Sequence, residues 1–429
     1  MKIYSEHMLT KEERISLLRR SSTRKGDTEN IVQEVCLTIK RRGDEAVREY
    51  CRKFDRAEVQ TIRVSSEELE AAQKQFSPEF TDAVHVAAKN IRAFHESQVN
   101  KTQRITTMEG VVCWREARPI EQVGLYVPAG SAPLPSTVLM LGIPAVLAGC
   151  SRIVLCSPPK TNGSIDPLVL GTAAMIGIHE VYNVGGAQAV AAMAYGTETI
   201  PKVDKIFGPG NRYVTAAKHF VSTDPDGAAI DLLAGPSEVF ILADESADPD
   251  VVAYDLLSQA EHDADAQAVL VTTSEWLAQE VLRILPQKAL EFPRNKIVES
   301  SLGNGYIFIA DSIASAIRFS NDYAPEHLII NMQSAETVVP SIINAGSVFV
   351  GSFAPVTAGD YASGTNHTLP TGGTARWASG VSLDSFLKNV TFQSITKSGL
   401  ESLAPTLTMF ASVEGLQAHA RAVTSRLSK

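Results

Sequence analysis

The sequence predicts an α/β protein with two successive parallel-sheet domains, because short β-branched runs alternate with longer runs rich in Ala and Leu. A first series of strands is predicted near Val123–Val127, Ile153–Cys156, Val181–Val184 and Lys205–Phe207. A second series is predicted near Val239–Leu242, Val269–Thr272, Tyr306–Ile309, Leu328–Ile330 and Val348–Val350. Helical segments separate the strands, so helices are expected on both faces of each sheet.

The order of these elements predicts two Rossmann-like domains between a helical N-terminal region and a helical C-terminal tail. In the N-terminal region, Thr10-x-x-Glu13 and Ser65-x-x-Glu68 have the pattern of capping boxes, which mark helix starts. A tail of this kind that contributes site residues often docks onto another domain or another subunit. The predicted divisions are the N-terminal region at 1–105, the first domain at 106–236, the second at 237–380 and the tail at 381–429.

Composition excludes several classes of function. The chain has 429 residues and a formal net charge of -9, which disfavours binding to nucleic acid or an anionic membrane surface. No apolar run approaches the ~20 residues that span a bilayer, and the N-terminus lacks the apolar segment of a secretory signal. The five cysteines include no CxxC pair, which favours reduced thiols in a cytoplasmic protein over a disulfide framework.

Three glycine-rich segments follow strands of the first domain, where parallel sheets bind ligands. They are Tyr126 to Gly130, Gly185 to Gln188, and Gly208 to Asn211. Glycines at a helix start let backbone N–H groups approach an anion, which would suit a cofactor phosphate. None of the segments is GxGxxG, so tight strand-to-helix turns remain the alternative explanation.

Two pairs of polar residues in the second domain are candidates for chemistry. Gln259 and His262 lie three apart in a helical pattern, so one helix face can present both to a metal ion. A structural role for a single helix histidine remains the alternative. Glu326 and His327 begin a predicted strand, and adjacent acid and imidazole groups suit proton transfer. For this pair the alternative is a solvated carboxylate beside a half-buried histidine.

Two further segments contribute candidates near the C-terminal end. The long polar loop from Gly359 to Pro370 contains Asp360 and His367, and long ordered loops are usually functional. Glu414 and His419 lie in the terminal helical region, for which a solvated tail helix is the alternative. Together, the nitrogen and oxygen donors of Gln259, His262, Asp360 and His419 suit zinc or a similar divalent ion.

The same segments resemble the histidinol dehydrogenase family over roughly residues 30 to 425. One visible departure is Ala129, where the family more often has Gly. The motifs that carry the resemblance are SQAEHD (258–263), APEHL (324–328), GDYASGTNHTLPT (359–371), SGVSLDSFLK (379–388), EGLQAH (414–419), GLYVPAG, GGAQAVAA, FGPGN and DLLAGPSEV.

This resemblance implies a four-electron oxidation of L-histidinol to L-histidine through histidinaldehyde, with two NAD⁺ reduced. His327 is then the base for alcohol oxidation, and Glu326 activates water for aldehyde oxidation. The resemblance implies one zinc ion per subunit, with Gln259, His262, Asp360 and His419 as its ligands. It implies that these four residues and His327 also contact the substrate. Further substrate contacts are implied for Ser237, His367 and Glu414, and NAD contacts for Tyr126, Gln188 and Asn211.

The resemblance also implies a homodimer in which the C-terminal tail crosses to the partner subunit. Two alternatives remain open from the residues. One is an enzyme of the same superfamily that oxidises another small alcohol, such as a sulfonated diol. The other is a metal or ligand sensor without catalysis, although every acid, base and ligand position is retained.

Overall fold

The computed structural model describes five stretches of the chain, namely residues 1–20, 26–99, 101–129, 132–233 and 235–428. Its strands are β1 (Lys2–Ser5), β2 (Arg104–Met108), β3 (Val111–Pro119), β4 (Gln122–Tyr126), β5 (Arg152–Ser157), β6 (Glu180–Asn183), β7 (Lys205–Phe207), β8 (Ala229–Ile230), β9 (Glu238–Ala243), β10 (Gln267–Thr272), β11 (Tyr306–Ile309), β12 (His327–Asn331), β13 (Ser347–Val350) and β14 (Leu387–Ile395).

The α-helices are α1 (Lys11–Leu18), α2 (Gly26–Tyr50), α3 (Ser66–Gln73), α4 (Pro78–Glu96), α5 (Pro135–Ala148), α6 (Pro167–Met175), α7 (Gly186–Tyr195), α8 (Arg212–Thr223), α9 (Pro249–Ala260), α10 (Glu275–Ala289), α11 (Asn295–Asn304), α12 (Ile313–Tyr323), α13 (Ala335–Val338), α14 (Val356–Tyr361), α15 (Lys397–Val413) and α16 (Gln417–Leu427). Short 3-10 turns lie at Glu6–Met8, Val339–Ser341, Thr374–Arg376 and Leu383–Phe386, and Cys51–Asp55 form a π-helical turn. Across the described stretches, none of the helices combines the length and apolar character needed to cross a membrane.

Two parallel sheets share one strand order. The first sheet runs β6-β5-β4-β7-β8, and the second runs β1-β11-β10-β9-β12-β13. Apart from β1, which adds to the edge of the second sheet, the chain enters each sheet at a central strand, adds two strands on one side and then returns to the other side of that central strand. The order therefore reverses between β4 and β7 in the first sheet and between β9 and β12 in the second, and such reversals create crevices at strand ends.

Helices cover both faces of each sheet, as the alternating pattern predicts. On the first sheet, α2, α7 and α8 pack together on one face, and α3, α4, α5 and α6 pack on the other. On the second sheet, α9, α10 and α11 enclose one buried cluster, and α1 and α12 contribute to the cluster on the opposite face. The predicted α/β fold with two parallel sheets is confirmed.

The N-terminal region divides its contacts between the two sheets. Its first residues form β1, which pairs in parallel with β11 at the edge of the second sheet. Helices α2, α3 and α4 instead cover the first sheet. The predicted capping boxes are present at Thr10 and Ser65, each with the glutamate three residues later.

A third, antiparallel sheet links the tail to the first domain. Strand β14 pairs with β3 along nine residues, from Leu387 opposite Pro119 to Ile395 opposite Val111. Strand β2 lies on the other side of β3. The tail is helical from Lys397, as predicted, but it also contributes this strand, which anchors the base of α15.

Candidate active site

The catalytic candidates lie where the amino end of the second sheet faces the carboxyl end of the first. His327 is the first residue of β12, so it lies at the amino end of the second sheet. The loop that follows α14 contacts α5, the helix that follows β4. There, Asn366 Nδ2 donates to the carbonyl of Met140 at 2.6 Å, and His367 Nε2 lies 3.2 Å from Thr137 Oγ1. The loop that carries Asp360 and His367 therefore lies directly against the first domain.

Glu326 and His327 form a buried pair fixed by the backbone of β9. The Glu238 N–H donates to Glu326 Oε2 at 2.7 Å, and His327 Nδ1 lies 3.0 Å from the Glu238 carbonyl oxygen. Because a carbonyl only accepts, Nδ1 carries a proton and donates it there. The other ring nitrogen, Nε2, is buried without a hydrogen-bond partner and lies 3.6 Å from Asp360 Oδ1. In the neutral imidazole this nitrogen is the free base.

Burial and charge oppose each other in this pair. Burial raises the pKa of Glu326 to about 8, although His327 and the Glu238 N–H act in the other direction. Burial acts to lower the pKa of His327, but the carboxylates of Glu326 and Asp360 outweigh it and raise this pKa to about 9. Both shifts move proton equilibria toward the neutral and mildly alkaline range, in which general bases work well.

Asp360 lies among three of the predicted histidines. Burial acts to raise the pKa of its carboxyl group, but His327, His367 and His262 together hold it below the ordinary value. The backbone oxygen of Asp360 accepts a hydrogen bond from His367 Nδ1 at 2.9 Å. Burial lowers the pKa of His367, which favours the neutral ring in this position. The long polar loop is therefore an ordered part of the site.

Gln259 lies in the last turn of α9, whereas His262 lies in the turn after the helix ends at Ala260, so the two do not share one helix face as predicted. Gln259 is only 2% exposed, and its Nε2 has no hydrogen-bond partner. The oxygen and nitrogen of an amide are assigned from their surroundings, so one end of this amide points into the interior unpaired. His262 is exposed. In the parts of this single chain that are described, no three His, Cys, Asp or Glu side chains are grouped to hold a metal.

The two tail candidates lie apart from this cluster. Glu414 caps the end of α15 and His419 lies on α16, and both side chains are exposed. Helix α15 packs mainly against α16, and its outer face exposes large apolar side chains: Met409 is 65% exposed, Phe410 64% and Val413 79%. Contiguous exposed apolar surface of this kind marks an interaction site.

The three cofactor candidates lie at the carboxyl ends of the first sheet. Tyr126 Oη accepts the Gly186 N–H at 3.1 Å, and Gln188 is buried with its Nε2 donating to Asp55 at 3.0 Å. Asn211 caps α8 through Oδ1, and its amide NH₂ group takes no part in this cap. Gly130, the last residue of the first glycine-rich segment, lies outside the described residues, as do Ser131 and Ala234.

The loop after β7 packs directly against the end of β4. Gly208 has a φ of 124°, and a Cβ at this position would lie 2.1 Å from the Tyr126 carbonyl oxygen. Only glycine fits such a close approach with this backbone conformation. The loops after β4 and β7 therefore meet at the point where the strand order reverses, as expected for a ligand crevice.

Glu238 belongs to this cluster by its contacts but was not identified from the sequence. Glu238 is 2% exposed, and its backbone contacts both Glu326 and His327. The signal in the sequence was an acidic residue at the start of an otherwise apolar buried strand. It directly follows Ser237, a half-buried residue whose carbonyl accepts the Gln267 N–H at 3.0 Å.

Fold and site together define an α/β enzyme with a buried acid–imidazole pair between two Rossmann-like sheets. The chain belongs to the histidinol dehydrogenase family, whose model matches residues 18–427. It is 51% identical to histidinol dehydrogenase of Bacteroides fragilis, over 94% of both chains. It is 49% identical to that of Vibrio parahaemolyticus, over 98% of this chain and 97% of the relative. The protein is therefore an oxidoreductase.

Structure comparison agrees with the sequence comparisons. The crystal structure of histidinol dehydrogenase from Elizabethkingia anophelis superposes with a TM-score of 0.96 at 51% identity. The match covers 100% of this chain and 98% of that one. The resemblance inferred from the sequence motifs is confirmed.

Proposed function

We propose that this enzyme oxidises L-histidinol to L-histidine through histidinaldehyde at one site, with two NAD⁺ and one zinc ion per subunit, as the last steps of histidine biosynthesis. The names of its relatives support this substrate. The observation that carries the proposal is the buried pair of Glu326 and His327 beside Asp360. Alcohol oxidation and aldehyde oxidation each need a base, and the site holds two chemically different bases side by side.

The side chains fit a bound divalent cation. Gln259 turns one unpaired amide end into the interior, and the pKa of Asp360 is held low, so that its carboxylate stays ionised. Together with His262 of the same chain, and with His419 supplied by the partner subunit, these donors make a mixed nitrogen and oxygen set suited to zinc. When bound, zinc would orient the substrate's imidazole and amine, and NAD⁺ would accept a hydride in each oxidation.

The two bases then act in sequence. His327 Nε2, which is free of hydrogen bonds, takes the hydroxyl proton of histidinol as the carbinol carbon loses a hydride, and the product is the aldehyde. Glu326 takes a proton from water as the water oxygen attacks the aldehyde carbon. The resulting hydrate anion would lose a second hydride to NAD⁺ and one proton to give the carboxylate. Ser237, His367 and Glu414 are proposed to hold the substrate, and Tyr126, Gln188 and Asn211 the cofactor.

A cysteine nucleophile is the usual alternative to activated water in aldehyde oxidation. Burial raises the pKa of the Cys150 thiol to about 11 and raises that of Cys156 further. A thiolate is the reactive form, so these two thiols are poor nucleophiles near neutral pH. Their state supports the assignment of water activation to Glu326.

We further infer that each site is completed by the tail of a second subunit. His419 and Glu414 are both exposed, and the large apolar side chains of α15 are also exposed within the described chain. A symmetric dimer in which each tail crosses to the other subunit would bury this face and deliver both side chains.

Mixing two inactive variants tests this exchange. Glu326→Gln and His419→Asn are each expected to abolish histidine formation in their own homodimers. If the tail crosses, a mixed dimer contains one intact site, because one subunit supplies Glu326 and the other supplies His419. Random remixing should then restore about a quarter of wild-type turnover. No restoration in verified mixed dimers would place both residues in one chain.

The substrate proposal is tested with a panel of alcohols. Zinc-loaded enzyme should form histidine, identified by mass spectrometry, from L-histidinol with NAD⁺. Good turnover of a sulfonated diol with poor turnover of histidinol would indicate another substrate. Tight histidinol binding without any reduced cofactor would indicate a sensor.

A further inference from the structure

Glu238 is a buried acid that the proposed chemistry does not use. It is the first residue of β9, and its carboxylate accepts two hydrogen bonds from Arg20, from Nε at 2.8 Å and from Nη2 at 2.9 Å. The Gly372 N–H donates a third at 2.9 Å. A two-point guanidinium–carboxylate contact fixes geometry as well as charge. This buried carboxylate is therefore held from two distant parts of the chain.

The backbone of the same residue touches both candidate bases. Its N–H fixes one oxygen of Glu326 at 2.7 Å, and its carbonyl oxygen accepts from His327 Nδ1 at 3.0 Å. The second contact selects the imidazole tautomer and leaves Nε2 as the proton acceptor. Small movements of the Glu238 backbone would therefore reorient both bases together.

Arg20 ties β9 to the turn that carries Glu326. Its guanidinium lies 3.7 Å from the ring centre of the fully buried Tyr323, whose hydroxyl donates to Gln267 at 2.7 Å. Arg20 Nη2 also approaches the Ala324 carbonyl oxygen at 3.4 Å. Ala324 has a φ of 52°, an unfavourable conformation for a residue with a Cβ, which the surrounding contacts must hold in place.

We propose that the Arg20–Glu238 ion pair is a positioning device that holds Glu326 and His327 at their working distances from the substrate. It binds neither substrate nor cofactor; it fixes β9 and the turn before Glu326 relative to each other. The proposal rests on the base roles assigned above. Because a displacement of about 1 Å can cost ~100-fold in rate, loss of the pair should lower kcat by roughly 10- to 100-fold. KM for histidinol should change by less than about threefold, since the contacts that hold the substrate remain.

The test compares Arg20→Met, Glu238→Gln and the double variant with a matched control. Each single variant leaves one buried charge unpaired, whereas the double variant carries neither charge and is expected to fold even if a single variant does not. The control is Arg14→Met on the same N-terminal segment, where Arg14 pairs with Glu6 at 2.8 Å and lies 5.4 Å from the Phe319 ring. It removes a comparable contact without touching β9.

If the pair acts as a positioning device, kcat of the double variant should fall by no more than kcat of the worse single variant. The kcat of the Arg14→Met control should stay within about twofold of wild type. A kcat equal to wild type in the folded double variant would overturn the proposal. So would an equal loss in the Arg14 control, which would show a general effect of destabilisation.

Crystal structures separate this proposal from the proposed reaction. In the double variant, the His327 ring and the Glu326 carboxylate should shift by more than about 0.5 Å, the tolerance of catalytic geometry. If wild-type enzyme oxidises no histidinol, the proposed reaction is wrong and the crystal structures alone decide the positioning role. Unmoved side chains in the double variant would then contradict it.

Discussion

Replacing Glu326 by glutamine removes a buried carboxyl group, which is ionised above its raised pKa of about 8, and keeps the shape of the side chain. The glutamine oxygen can still accept the Glu238 N–H, which lies 2.7 Å from Oε2 in the present structure. General bases contribute roughly 10²- to 10⁴-fold, so aldehyde oxidation should slow by about that factor. Alcohol oxidation should fall by less than about tenfold, because the lost charge only weakens the basicity of His327, 3.5 Å away.

Rapid-mixing measurements of NADH formation separate the two steps, with histidinol supplied in one experiment and histidinaldehyde in the other. Glu6→Gln is a matched control, because Glu6 is also a hydrogen-bonded carboxylate. It accepts hydrogen bonds from the Asp311 N–H at 3.0 Å and from the Ser315 hydroxyl at 2.6 Å. The control should retain both rates. Equal loss of both steps in Glu326→Gln, or no loss in either, would refute the assignment.

Three further substitutions test other parts of the structure. His327→Asn should slow alcohol oxidation by roughly 10²- to 10⁴-fold and aldehyde oxidation less, as measured by the first NADH released from histidinol. Lys218→Met leaves the fully buried carboxylate of Asp231 without its ion-pair partner, and should lower the free energy of unfolding by about 3–5 kcal/mol in urea denaturation. Asp231→Asn in the same chain should recover part of this loss. Gly208→Ala should weaken NAD⁺ binding in calorimetry, because its Cβ would collide with the Tyr126 carbonyl oxygen; unchanged affinity would contradict the crevice at this point.

Local patterns were sufficient to predict nine strands of the two parallel sheets, but they missed five other strands. Each strand predicted from a β-branched run is present, with ends within two residues of those observed; for example, Tyr306–Ile309 is observed with the predicted limits. Strands β1, β2, β3, β8 and β14 were not predicted. The partners of β1 and β14 lie far along the chain, Lys2 opposite Tyr306 and Leu387 opposite Pro119, so long-range pairing rather than local sequence selects these two strands.

The site was predicted only in part, because local motifs identify candidate residues but do not show contacts between distant parts of the chain. Glu326, His327, Asp360 and His367 are brought together as the motifs suggested, although they come from different elements. The role of Glu238 was not visible, because its partner Arg20 lies 218 residues earlier. The domain limits at 105, 236 and 380, and the ligand role of His419, remain predictions.

The number of NADH molecules formed per histidine from L-histidinol tests the two-base, metal-dependent site most directly. It should be measured with zinc-loaded enzyme, after chelation and after zinc is restored. Two NADH per histidine, with activity lost on chelation and recovered with zinc, is the predicted result. One NADH with accumulation of histidinaldehyde, or full activity in verified metal-free enzyme, would contradict it.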